Sequence, residues 1–136
     1  MLLDTNIISA IMLPTPHPNV VDWLRQQDAD RIYISSVTVA EVHYGLECLP
    51  DGKRRRALQE RFDRFLTLGF HDRTLSFDLV AAQHYGKILG HRRAIGRPLG
   101  MADGQIAAIA RANALAVVTR NEKDFTECGL EVVNPY

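Results

Sequence analysis

Four stretches of this 136-residue chain place acidic or amide groups where they could act together. Met1-Leu2-Leu3 is a short apolar run leading straight into Asp4-Thr5-Asn6. Glu41 follows Val39-Ala40 inside a helical pattern, and Asp103 lies in Ala102-Asp103-Gly104 at the start of another. Thr119-Arg120-Asn121-Glu122-Lys123-Asp124 follows the apolar run at 115–118. In an open parallel α/β sheet, ligands bind beyond the carboxyl ends of the strands, so Asp4 and the 119–124 segment are well placed for chemistry. Carboxylates converging there repel one another unless a divalent cation neutralises them, and hard oxygen ligands suit Mg²⁺ or Mn²⁺. Such a site can polarise a phosphate oxygen and acidify an attacking water, the requirements of phosphodiester hydrolysis. Each stretch also has a plainer reading. Asp4, Thr5 and Asn6 are good helix N-caps, Glu41 could snorkel from the edge of an apolar stripe, and Asn121 could cap the turn that holds Asp124.

These residues need a scaffold, and the apolar patterning supplies one. After the first strand, a helix around 7–11 stops at Pro14-Thr15-Pro16-His17-Pro18, where three prolines remove backbone donors. A second helix from Asn19 carries Val20, Val21, Trp23 and Leu24 and ends at Asp28-Ala29-Asp30. The segment 31–34 reads as a buried strand, followed by Ser35-Ser36 as N-caps. The third helix, 37–49, is apolar almost all round. It is therefore expected to be covered on more than one side, with Glu41 on the stripe of Val37, Tyr44 and Gly45. Beyond Asp51-Gly52, a helix over 53–68 sets Leu58, Phe62, Phe65 and Leu66 against an arginine face. A third strand is expected at 69–73. A helix capped by Ser76 then runs to about residue 93, packing through Leu79, Val80, Ala82, Ile88 and Leu89. The loop 96–100 delivers Asp103 to the first turn of an alanine-rich helix, where the positive end of the macrodipole favours the charged carboxylate. Strands at 115–118 and 130–133 close the pattern. The alternation implies a parallel sheet with right-handed crossovers.

Composition narrows the class. The length fits one domain over residues 1–136, and 46% hydrophobic with 24% charged residues is ordinary globular usage. No run approaches the roughly 18 uninterrupted apolar residues of a membrane span, and no secretory signal pattern opens the chain, so a soluble cytoplasmic protein is expected. Cys48 and Cys128 lack metal-ligand spacing and read as free thiols, and the five histidines show no zinc-site spacing. Sixteen basic residues balance sixteen acidic ones, so nucleic-acid contact must come from local patches. Lys53-Arg54-Arg55-Arg56 and His91-Arg92-Arg93 are such patches, with a solvated helix face as the alternative.

Taken together, Leu3-Asp4-Thr5-Asn6, Val39-Ala40-Glu41, Ala102-Asp103-Gly104 with Ile106-Ala107-Ala108, Val118-Thr119-Arg120-Asn121 and Asn134-Pro135 resemble a PIN-domain ribonuclease. The resemblance is to the toxin subunit of bacterial toxin–antitoxin pairs of the VapC and FitB type, and it covers essentially the whole chain. It implies a three-layer α/β domain with a five-stranded parallel sheet in order 3-2-1-4-5 flanked by helices. It also implies a metal-dependent endoribonuclease with Mg²⁺ or Mn²⁺ held by Asp4 and Asp103, Glu41 joining directly or through water. Many relatives carry a fourth Asp where this chain has Asn121, which leaves Asp124 as the acid to replace it and leaves one-metal versus two-metal catalysis open. Thr5, Asn6 and Thr119 are expected to support the ligands or orient a phosphate, and Arg92, Arg93 and Arg97 are candidates for guiding RNA. The family further implies a homodimer and a cognate antitoxin lying along a groove beside the site, with any DNA binding belonging to that partner.

Other classes fit less well. A catalytically weak PIN-like module acting by protein or RNA binding draws support from Asn121, yet Asp4, Glu41 and Asp103 are all present. A phospho-acceptor receiver needs an acidic pair near the N-terminus, and an aspartyl phosphohydrolase needs a second Asp two residues past Asp4; Leu3-Asp4-Thr5-Asn6 offers neither.

Overall fold

The computed structural model describes all residues 1–136. Strand β1 (Leu2–Leu3) is followed by α1 (Thr5–Met12), α2 (Pro18–Arg25), β2 (Ile34–Ser35), α3 (Ser36–Glu47) and α4 (Lys53–Gly69). Then come β3 (Thr74–Leu75), α5 (Leu79–Ala94), α6 (Met101–Ala112), β4 (Val117–Val118) and β5 (Val132–Val133). Both short 3-10 turns, Ala29–Arg31 and Glu122–Asp124, lead into sheet or core segments.

All strand pairs are parallel, in keeping with the helical crossovers. The expected continuous five-stranded sheet is not formed. Its strands make a three-stranded ladder, β1-β4-β5, and a two-stranded one, β2-β3, joined by a single bridge between Leu2 and Tyr33. The cause is the shortness of β2. Arg31 belongs to the 3-10 turn capped by the Asp28 carboxylate, and Ser35 already caps α3, accepting from Thr38 N–H at 2.9 Å. Only Tyr33 is left to reach β1, through Leu3 N–H to Tyr33 O and Tyr33 N–H to Met1 O, each 2.9 Å.

Alternation along the two-residue strands divides the core into two layers. Leu2 and Val117 face α5 and α6, where they pack with Ile88, Ile106, Ile109 and Phe125. Leu3 and Val118 face the opposite side, with Ile7, Ile8, Val42 and Phe62 from α1, α3 and α4. The result is a sheet between two helical layers, with each fully buried aliphatic side chain contributing roughly 1.5–3 kcal/mol.

Three other expectations are corrected. Residues 69–73 end α4 and turn instead of forming a strand: Phe70 is buried, the Arg73 guanidinium donates to Gly69 O and Ala29 O, and β3 begins at Thr74. Helix α5 is capped by Asp78, not Ser76; its inner face carries Ala81, Ile88 and Arg92, while Leu79 and Val80 are exposed. Helix α3 buries Thr38, Val42 and Leu46 and reaches both core layers through Val37 and Val39, but its remaining side is open, with Tyr44 74% exposed.

Helices α5 and α6 approach closely at Gly104. A Cβ there would sit 2.5 Å from Leu89 Cδ1 and 3.1 Å from the Tyr85 ring. Gly104→Val is accordingly expected to cost on the order of 2 kcal/mol through overpacking, read as a lower denaturant midpoint at unchanged m-value.

Candidate active site

Asp4 ends β1 and is the N-cap of α1, so the capping and functional readings hold together in one residue. Asp4 is 5% exposed. Oδ1 accepts from Thr5 N–H at 2.7 Å, and Oδ2 accepts from Asn6 Nδ2 and from the Thr119 hydroxyl, both at 2.8 Å. Thr119, fully buried at the end of β4, also accepts from Asn6 Nδ2 at 2.9 Å and from Asn121 N–H at 3.0 Å. Residues 4–6 and 119–121 thus form one hydrogen-bonded unit across neighbouring strand tips.

Glu41 reaches this unit from α3. Its Oε1 accepts from the Thr5 hydroxyl at 2.6 Å, and Thr5 Oγ1 lies 3.2 Å from Thr38 Oγ1, which accepts from Ser35 Oγ at 3.1 Å. Thr38 and Ser35 were not among the expected site residues. The signal for Thr38 is its position three residues before Glu41, on the same helical face.

Asp103 enters from the first turn of α6 and Asp124 from the 3-10 turn after β4. The helix dipole does not decide the charge state of Asp103. Burial pushes its carboxyl up to about 6, and Asp4, Asp124 and Glu41 push in the same direction. Asp4 is likewise raised by burial; the bonds from Thr119 and Thr5 oppose this, and the charges of Glu41 and Asp124 add to it. Four carboxylates therefore feel one another at the carboxyl tips of β1 and β4. Asn121 caps the Glu122–Asp124 turn through its main-chain carbonyl only, accepting from Asp124 N–H at 3.0 Å, while its side chain is exposed and makes no capping bond. The acid that reaches Asp4 and Asp103 from this segment is Asp124.

Three or more acids do not yet close into a ligand shell as they stand. Mg²⁺ is commonly held by only one or two carboxylates together with waters and phosphate oxygens, so what bears on it here is the chemistry of the donors. An all-oxygen donor set with excess negative charge fits a hard divalent cation.

Of the expected RNA-guiding residues, Arg92 is corrected. It is 4% exposed and points inward, donating from Nε to Arg97 O and from Nη1 to Thr126 O, both 2.7 Å, and to Asp124 O at 3.3 Å. It ties the loop before α6 to the turn bearing Asp124. Arg93 and Arg97 are exposed, and Arg97 is held through its main chain, its N–H donating to Arg92 O at 2.8 Å and its carbonyl accepting from Arg92 Nε. The two cysteines are unpaired, Cys48 exposed and Cys128 buried, and no helix is long and apolar enough to cross a membrane.

A three-layer parallel α/β fold with acids gathered at its strand tips defines the class, and the family model for the PIN domain matches residues 1–129. The chain belongs to the PIN-domain family. It is 40% identical over 136 residues to the plasmid stability protein StbB of Pseudomonas syringae pv. tomato, covering 100% of this chain and 98% of that protein. Identity is 37% over 136 residues both to the VapC ribonuclease Y4jK of Sinorhizobium fredii (100% and 97% covered) and to toxin FitB of Neisseria gonorrhoeae (100% and 98%). The crystal structure of FitAcB from Neisseria gonorrhoeae superposes with a TM-score of 0.92 at 37% identity, covering 98% of this chain and 96% of that one. The structure of FitAB bound to a DNA fragment gives 0.92 at 36% identity, with 98% and 94% covered. A toxin–antitoxin complex from Klebsiella pneumoniae gives 0.71 at 26% identity, with 99% and 97% covered.

Proposed function

We propose that this chain is a Mg²⁺- or Mn²⁺-dependent endoribonuclease, the cytoplasmic toxin of a toxin–antitoxin pair. The observation that carries this reading is the shared field of Asp4, Glu41, Asp103 and Asp124 at the tips of β1 and β4. Asp4 and Asp103 are the residues to hold the cation, with Glu41 joining directly or through water and Asp124 supplying the acid that Asn121 does not. A bound divalent ion supplies charge neutralisation at a phosphate and a more acidic water. The chain's own contribution is placement. Asn6 and Thr119 fix one Asp4 oxygen, Thr5 N–H fixes the other, and the Thr5 hydroxyl orients Glu41. Burial of Asp4 places its carboxylate in a lower dielectric, which strengthens its attraction for a bound cation.

A groove of about 430 Å³ runs from the site between α1, α3 and α4. Its apolar wall includes Met12, Leu13, Val42 and Leu46; Arg54 and Arg61 flank it, and it opens at Thr5 and Glu41. This suits an antitoxin segment carrying apolar and acidic side chains, in the helix-in-groove or extended mode. DNA contact then belongs to the toxin–antitoxin complex. The exposed Tyr44, Leu79, Val80 and Met101 provide apolar area for a homodimer.

Inducing the chain in bacterial cells and mapping RNA 5′ ends tests this reading. Expected are growth arrest and new ends at discrete sites, both absent for Asp4→Asn and both suppressed by co-expression of the cognate antitoxin. Unchanged growth and RNA from folded, accumulated protein would overturn it in favour of a silent binding module.

A further inference from the structure

The acid cluster creates a problem for its own substrate, because a site lined by four carboxylates repels the RNA backbone. A cation at the rim is needed to bring phosphates in. Arg92 is buried and engaged with carbonyl groups, so it does not supply one. Arg120 is placed differently. It follows Thr119 directly, and its N–H donates to Asn6 Oδ1 at 3.2 Å, so its backbone is fastened to the Asn6 and Thr119 pair that grips Asp4.

Despite that proximity, the Arg120 guanidinium pairs with none of the acids. It lies over the Tyr136 ring, 5.1 Å from the centroid. The ring is itself held: His17 packs at 5.0 Å between centroids, Tyr136 N–H donates to Asn134 Oδ1 at 3.0 Å, and Asn19 Nδ2 donates to Tyr136 O at 3.3 Å. Contact with a ring face orients a guanidinium without consuming its N–H donors. An exposed, pre-oriented fork with its donors free is the arrangement that suits two-point binding of a phosphate.

We propose that Arg120, oriented by Tyr136, binds a phosphate of the RNA backbone at the rim of the acidic site and positions the strand over it. Arg120 is the phosphate-binding residue and Tyr136 is its positioning residue. The proposal rests on the nuclease reading above.

The test measures binding of a short fluorescent single-stranded RNA by the full chain in an Asp103→Asn background, across a series of salt concentrations. Arg120→Gln is expected to weaken binding about 5- to 10-fold and to lower the slope of log K against log salt by roughly 0.7, the loss of one phosphate contact. Tyr136→Ala should weaken binding less, and Tyr136→Phe, which keeps the ring face, should restore it. In the cleaving protein, Arg120→Gln should raise KM with kcat little changed, a split that loss of fold would not give. Equal affinity and salt slope for Arg120→Gln and its parent would overturn the Arg120 assignment while leaving the nuclease reading intact. Absence of RNA binding by the parent itself would overturn both.

Discussion

Asp103→Asn is expected to make the protein more stable and nearly inactive. The half-buried Asp103 carboxyl is raised to about 6 by burial and by Asp4, Asp124 and Glu41, whereas in the unfolded chain it returns to the ordinary range. Between those values the folded chain holds more protons than the unfolded one, so this group's contribution to stability falls as pH rises from about 4 through about 6. Above pH 7 the ionised carboxylate opposes folding. After allowance for solvent screening at a half-exposed group, the penalty is on the order of 1 kcal/mol. Asparagine removes the charge and keeps the shape, so thermal melts at pH 7.5 should show a higher midpoint for the variant, and the difference should shrink toward pH 4. RNA cleavage should fall at least about 100-fold if Asp103 holds the cation as proposed, because the variant would remove a charged ligand. A lower midpoint at pH 7.5 would contradict the electrostatic description of the site; retained cleavage would remove Asp103 from the chemistry.

Arg92→Met is expected to be the most destabilising substitution of a charged residue in this chain. The buried guanidinium satisfies Arg97 O and Thr126 O at 2.7 Å each and reaches Asp124 O, and methionine would remove those donors, leaving Thr126 O only the Cys128 thiol at 3.5 Å. A fully buried unsatisfied carbonyl costs about 1–3 kcal/mol, and because Arg97 and Thr126 are exposed residues whose carbonyls water can partly satisfy, the variant is expected roughly 1–3 kcal/mol below the parent. Arg92→Lys should recover only part of this, since an ammonium cannot span two loops as a planar fork does. The same contacts hold the turn that carries Asp124, so cleavage should fall even under conditions where the variant is folded. Denaturant unfolding and single-turnover cleavage measure the two effects separately. An unchanged unfolding midpoint for Arg92→Met would show that the loops are held by other means.

The gathering of these acids was legible in the sequence because each stands at a chemically marked place: Asp4 after Leu2-Leu3, Asp103 at a helix start, Asp124 after the 115–118 run. That Leu2 and Leu3 of the first apolar run face opposite core layers emerges only in the fold. What the pattern hid depends on contacts far apart in the chain. Arg92 reads as one of a basic pair on a helix end, and only the approach of residues 123–128 turns it inward. Tyr44, Leu79 and Val80 read as core because periodicity reports apolar character and not which faces one chain covers. The break of the sheet between β1 and β2 was hidden as well, since it depends on how the 3-10 turn at Ala29–Arg31 shortens β2. For Asp103, the dipole of α6 was visible in the sequence, but burial and the three other carboxylates that outweigh it were not.

Cleavage of a mixed RNA pool by the purified, partner-free chain tests the central claim most directly, with Mg²⁺ or Mn²⁺ compared against EDTA and with Asp103→Asn alongside. Discrete fragments are expected only with metal and only with Asp103 intact. Equal cleavage in EDTA, or by Asp103→Asn, would contradict it.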